Sequence, residues 1–338
     1  MNINQLLKKG YGSILLFSLL AAVIILSGCG AQAAPKVYRV GILSGLDYFA
    51  PTSDGFKAGM TDLGYVEGQN ITYDVQKTNF DIAAYQRILQ KFVADKVDLI
   101  VVFPTEASLE AKAATQGTDI PVVFAFAFIE GVDLVKSVRE PGGNITGLRL
   151  PGPDVALKRF EVMRQLAPQA KRIWLPYQRG YPIVASQLEV LRPAAQAAGV
   201  TLLEAPANNR AELEAALQAQ AAANDIGVDA ILSIAEPLTV QPDVFAMLGK
   251  FAADHKIPFG GSYVKVEKDG PVYGVGNDSI AGGKQVATLA NKIFKGTPAG
   301  NIPVLSAELY LQIDYKRAQE LGLSVPEGLL SQADEIIR

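Results

Sequence analysis

The chain has 338 residues, 31 Lys and Arg against 34 Asp and Glu, a formal net charge of −3, and one Cys and one His. A mildly acidic chain without a basic block is a poor partner for a phosphate backbone, so nucleic acid is excluded as a target. A lone Cys excludes a disulfide framework, and the lone His and scattered carboxylates offer no metal site. The length exceeds one ordinary core, and two domains are expected.

At the N-terminus, Lys8 and Lys9 precede an apolar run from Ile14 to Leu26, which ends in Leu26-Ser27-Gly28-Cys29. A positive start, a short apolar stretch and small residues at the cut describe a secretory signal peptide over residues 1–28. The run is too short to cross a bilayer comfortably. A short anchor, or a cut beside an incidental Cys, are the alternatives. Leu-Ser-Gly-Cys resembles a bacterial lipobox, which implies acylation of Cys29, with palmitate among the chains attached, and an extracytoplasmic protein tethered to the membrane by lipid at the cell surface or in the periplasm. Removing residues 1–28 takes away two Lys and no acid, moving the charge to about −5. Residues 29–36 are the lipidated Cys and a linker.

From Tyr38 onward strands and helices alternate. Val40–Leu43 is a short apolar run, and Ser53 precedes a helix with Phe56, Met60 and Leu63 on one face, closed by Gly64. Ile71, Tyr73 and Val75 alternate as in a strand. Asp81 opens a helix carrying Ile88, Leu89, Phe92 and Val93. Leu99–Phe103 and Val122–Phe126 are continuous apolar runs, the signature of strands buried on both faces. The pattern then restarts. Strands are expected at Ile173–Leu175, Val200–Leu203, Ala230–Ile234, Pro258–Phe259 and Val272–Val275, with helices at Tyr181–Ala198, 210–223, 242–255 and Ser279–Phe294. Repeated βαβ units mean parallel, doubly wound sheets. Two such halves joined near Gly147 fit better than one large sheet, and ligands in such sheets sit at the carboxyl ends of the strands.

Catalytic motifs are absent: there is no G-x-S-x-G elbow, H-E-x-x-H or Walker loop. His255, at a helix C-terminus, reads as a surface residue, and Gly274-Val-Gly276 is only half of a dinucleotide fingerprint. Polar and aromatic residues do recur just after strand ends in both halves. They are Ser44, Tyr48, Thr105, Glu106, Phe126 and Phe128 in the first, and Tyr177, Arg179, Glu236, Ser262, Tyr263 and Asp278 in the second. Apolar walls with a few placed hydrogen-bonding groups make a small-molecule site.

The chain resembles the extracytoplasmic substrate-binding lipoproteins of ABC importers, in the group that includes tryptophan and tyrosine binders. The strings that carry the likeness include Gly55–Asn70, Ile120–Phe124, Pro141–Gly147, Gly296–Pro298, Ile302–Val304 and Ala318–Pro326. The resemblance implies a type I periplasmic-binding-protein fold with two doubly wound lobes joined by a three-crossover hinge. The lobes would comprise residues 37–147 plus 276–303 and residues 148–275 plus 304–338. It also implies a monomer that binds a small ligand without chemistry or cofactor and delivers it to a permease and its ATPase. Thr105 and nearby backbone N–H groups would suit a ligand carboxylate, and Asp278 or Glu236 a ligand ammonium. Tyr48, Phe126, Phe128, Tyr177 and Tyr263 would wall the apolar part, and Arg179 would hold a second carboxylate. The ligand expected first is an amino acid or related zwitterion, aromatic ones included. An aromatic or other carboxylate without an amine, a lipid-tethered sensory receptor and, last, a surface α/β enzyme are the alternatives. Glu106, Phe128–Glu130, Gln178-Arg179 and Ser279-Ile280 depart from the family pattern, so ligand identity does not transfer.

Overall fold

The computed structural model describes residues 36–222, 225–264 and 269–338. The signal peptide and Cys29 lie outside the described residues. The first sheet contains β1 (Tyr38–Ser44), β2 (Ile71–Lys77), β3 (Leu99–Phe103), β4 (Val122–Ala127) and β5 (Ile145–Arg149). The second contains β6 (Arg172–Gln178), β7 (Thr201–Ala207), β8 (Ala230–Leu232), β9 (Phe259–Gly261) and β10 (Tyr273–Gly276). The chain then returns through β11 (Leu305–Ser306) to the first sheet and ends with β12 (Tyr310–Asp314) and β13 (Glu335–Ile337) in the second. The orders are β11-β5-β4-β3-β1-β2 and β13-β12-β10-β9-β8-β6-β7.

Each sheet is covered on both faces, as a largely parallel sheet must be. In the first lobe, helices Pro51–Asp62 and Ser279–Phe294 bury Phe56, Met60, Val286 and Leu289 on one face, and Ile82–Ala94 and Thr105–Ala114 bury Tyr85, Leu89, Phe92 and Ala111 on the other. In the second lobe, Gly152–Leu166 and Val184–Ala197 cover one face, and Arg210–Ala221 and Pro242–Asp254 the other. Trp174 on β6 is buried in this last layer, in the same apolar cluster as Leu213 and Leu217.

The chain passes between sheets three times, slightly later each time than the sequence suggests. Gly147 is not a junction but the middle of β5, so the first passage follows Arg149. The second follows Gly276, through Asn277 and Asp278. The third follows Ser306, because Leu305 and Ser306 pair with Leu148 and Arg149 of the first sheet. The parallel pattern is also incomplete: β12 runs antiparallel to β10. The route explains this. β11 is parallel to β5 and leaves the first sheet at its carboxyl edge, so the chain enters the second sheet from the facing carboxyl edge and must run down it.

Candidate functional site

Between the sheets lies a cavity of about 520 Å³, its open mouth included. Nearly every residue lining it follows the carboxyl end of a strand. Leu46, Tyr48 and Phe49 follow β1; Phe80 follows β2; Pro104, Thr105 and Glu106 follow β3; Phe128 follows β4 and Leu150 follows β5. From the opposite lobe come Tyr181 after β6, Ala235, Glu236, Pro237 and Val240 after β8, Ser262 after β9, and Gly276 and Asn277 at β10. Arg159, from helix Gly152–Leu166, completes the wall. Strand ends of two facing sheets form a crevice with no further device, as open α/β sheets do.

The walls are largely apolar and the polar groups few and fixed. Thr105 Oγ1 accepts the N–H of Phe128 at 3.0 Å, tying the start of its helix to the segment after β4. Glu106 and Tyr181 meet from different lobes, the phenol donating to the carboxylate. Burial pushes the Glu106 carboxyl up, against the pull of that hydrogen bond. Glu236 is 4 % exposed. Its carboxylate accepts from the N–H groups of Gln178, Leu238 and Thr239 and from the Thr239 hydroxyl. Burial raises its pKa and those four donors oppose the rise. Gln187 grips the backbone of Ala235 from both sides, donating to its carbonyl at 2.8 Å and accepting its N–H at 3.0 Å, which holds the Glu236 loop.

Among the residues singled out from sequence, the structure brings Tyr48, Thr105, Glu106, Phe128, Glu236 and Ser262 to the cavity. Tyr263 and Asp278 instead line an adjoining recess with Tyr310 and Gln312. Tyr263 stacks on Phe245 at 4.6 Å and touches Tyr48 across the lobes at 5.2 Å. Asp278 caps helix Ser279–Phe294, accepting the N–H of Ala281 at 2.9 Å. Ser44 is buried at the end of β1, outside the cavity lining. Phe126 is also outside it. The β4–β5 register shifts between Ala125 and Ala127, and Phe126 takes a φ of 51°, turning its ring into the core against Phe49 at 5.3 Å.

Tyr177 and Arg179 require correction as cavity residues. The Tyr177 hydroxyl donates to Glu204 at 2.7 Å, and Arg179 is exposed, donating to the Pro206 carbonyl at 2.8 Å beside Glu212. Both partners sit on β7 or just beyond it, so these side chains follow the sheet edge away from the cleft. Tyr181 and Arg159 are lining residues with polar groups that strand-end position does not single out. Tyr181 was placed inside a helix that begins only at Val184. Arg159 sits on the buried stripe Val155, Ala156, Phe160, Val162, Met163 and Leu166. A charge interrupting an apolar helical face is the signal that marks it.

Residues 42–337 match the family described as ABC transporter substrate binding protein. The chain belongs to that family. Its members are solute-binding proteins rather than enzymes and work outside the cytoplasm. The chain is 29% identical over 258 residues to a tyrosine-binding protein of Clostridioides difficile, spanning 75% of this chain and 71% of that one. A conserved domain protein of Vibrio cholerae superposes with a TM-score of 0.77 at 26% identity, over 89% of this chain and 100% of its own. An ABC domain from Streptococcus pneumoniae in complex with L-Trp superposes with a TM-score of 0.78 at 24% identity, over 89% of this chain and all of its own. Among the described residues no helix is long and apolar enough to cross a membrane.

Proposed function

We propose that this family member is the lipid-anchored solute receptor of an ABC importer. It captures a small amino acid or related zwitterion, aromatic ones included, between its lobes and presents it to a permease served by an ATPase. The observation that carries the reading is that one cavity takes its walls from the strand ends of two separate sheets, so parting the lobes opens it and closing them buries the solute. Three passages between the lobes supply a hinge. The bond between Glu106 and Tyr181 and the ring contact between Tyr48 and Tyr263 are links that a closed form makes and an open form lacks. Discrimination between the two forms is what a permease would read. The tryptophan and tyrosine binding of two relatives, together with the rings of Tyr48, Phe49, Phe80 and Phe128, supports an aromatic or branched apolar solute.

A second reading, a carboxylate without an amine, is favoured by one specific finding. Glu236 is held by four protein donors, Glu106 accepts the Tyr181 phenol, and Asp278 caps its helix outside the cavity, so each carboxylate lining the cavity among the described residues already has a protein partner and none is set aside for an ammonium. Small-angle scattering and thermal melts with the twenty amino acids and their deaminated acids test the reading. A ligand should shrink the radius of gyration and raise the melting temperature. A ligand a hundredfold above its Kd stabilises by about 2.7 kcal/mol. Failure of every compound to do either would reject capture. For the anchor, Cys29→Ser should abolish labelling by radioactive palmitate and move the protein from the membrane to the soluble fraction.

A further inference from the structure

One charged group of the cleft has no counter-ion bonded to it. Arg159 is 2 % exposed and lines the cavity. Its Nε donates to the Val275 carbonyl, its Nη1 to the Ser233 carbonyl and its Nη2 to the Ser262 hydroxyl, each at 2.9 Å. A guanidinium has five N–H donors, so two of them have no acceptor among the described residues, and the three acceptors present are neutral. Burial brings Arg159 down to about 10, so it remains a cation at neutral pH. Glu236 is the carboxylate whose charge reaches it, and that carboxylate is already held by three N–H groups and a hydroxyl.

A buried cation hydrogen-bonded only to neutral acceptors is costly unless a partner anion arrives. Other arginines of the chain show the usual solution: Arg172 pairs with Asp225 and Asp229, Arg192 with Glu204, and Arg149 with Glu130. Arg159 has no such partner, and unlike Arg39 and Arg164, which also bond only carbonyls through their guanidinium groups, it is buried and at the cavity wall. We propose that Arg159 is the anchor for a carboxylate carried by the captured solute, whose anion completes the pairing that the protein leaves unfinished. The proposal rests on the capture reading above and names the solute class: a small carboxylic acid with an apolar body. Neutral sugars and polyols, which also suit aromatic walls, are excluded, because they bring no anion. The fork of Arg159 is braced by three separate strand ends, so it is positioned before the ligand arrives, which lowers the cost of ordering it on binding.

The test uses the full lipidated chain in detergent and isothermal titration with matched pairs. These are L-tryptophan, L-tyrosine and L-leucine, their amides (amine kept, carboxylate removed), their deaminated acids, and neutral galactose and myo-inositol. At least one acid should bind, with its amide weaker by about a hundredfold or more, as expected for losing hydrogen bonds to a charged group. Arg159→Gln should bring acid and amide within about threefold of each other, and Arg159→Lys, which keeps the charge without the fork, should fall between. If Arg159→Gln fails to fold, Arg159→Lys carries the assignment, and the acid–amide comparison on the unaltered protein can still overturn it. Acid and amide binding equally well, or a sugar binding where no acid does, overturns the anchor while capture stands. Silence from every compound overturns both.

Discussion

Glu106 reaches across the cleft to Tyr181, and burial is the larger influence on its carboxyl, raising it from an ordinary value of 4.5. An acid raised by folding holds its proton more readily folded than unfolded. Its favourable contribution is therefore complete below about 4.5 and is lost as pH climbs to the raised value. Glu236 has the same sign, so a single variant is needed to isolate one group. In Glu106→Gln the amide still accepts from Tyr181 but does not titrate. The melting temperature of the parent should gain on this variant as pH falls from about 7 to about 5. A gap that does not change with pH would show that Glu106 titrates alike folded and unfolded. Asp278 invites a different exchange. If its carboxylate serves only as a helix cap, Asp278→Asn should leave solute affinity within about threefold, because Asn caps as well as Asp, and Asp278→Ala should cost about 1 kcal/mol of stability. The sequence points to both residues by their place after strand ends. Arg159 is marked only by a charge on an apolar helical stripe, which strand-end logic does not search.

Helices Pro51–Asp62 and Ser279–Phe294 come from opposite ends of the chain yet pack backbone to backbone. A Cβ on Gly55 would stand 2.2 Å from the Ile280 carbonyl oxygen, and one on Gly283 would stand 2.4 Å from that of Thr52. Neither obstacle is a flexible side chain, so the helices themselves would have to separate. Gly283→Val should cost about 1–3 kcal/mol in a denaturant titration, with the midpoint falling. An unchanged midpoint would mean that this contact is loose. Helix Ser279–Phe294 is legible because its Asp cap and its apolar stripe are both strong local signals. The restart of the βαβ pattern places the joint near Gly147, two residues early, whereas that glycine lies inside β5 and admits Phe124, whose carbonyl oxygen lies 2.3 Å from where a Cβ would be. β11 and β12 have weak local patterns, and their pairing depends on the path between lobes rather than on propensity.

At the scale of the whole protein, neither lobe is contiguous in sequence. Val286, Ala287, Leu289 and Ala290 complete the first lobe's core from beyond residue 276, and Leu311 and Ile313 do so for the second from beyond residue 307. A fragment covering residues 36–150 should therefore remain unfolded by circular dichroism and regain structure when co-expressed with the remaining chain. Cooperative folding of that fragment alone would contradict the core as described. Alternation and restart of the βαβ pattern make the two-lobe plan readable, since each rests on local periodicity. The relation of the lobes depends on non-local contacts and is not.

The sole tryptophan, Trp174, sits on β6 in the apolar cluster that includes Leu213 and Leu217, and it is not among the residues that line the cavity. Its emission should thus stay constant while a solute enters, and shift to the red only when that lobe melts. The protein carries its own optical gauge of unfolding, blind to occupancy. Solutes without an indole can be titrated by calorimetry, and a dye placed on the cleft rim can follow filling, while indole light from Trp174 reports that the sample is still folded.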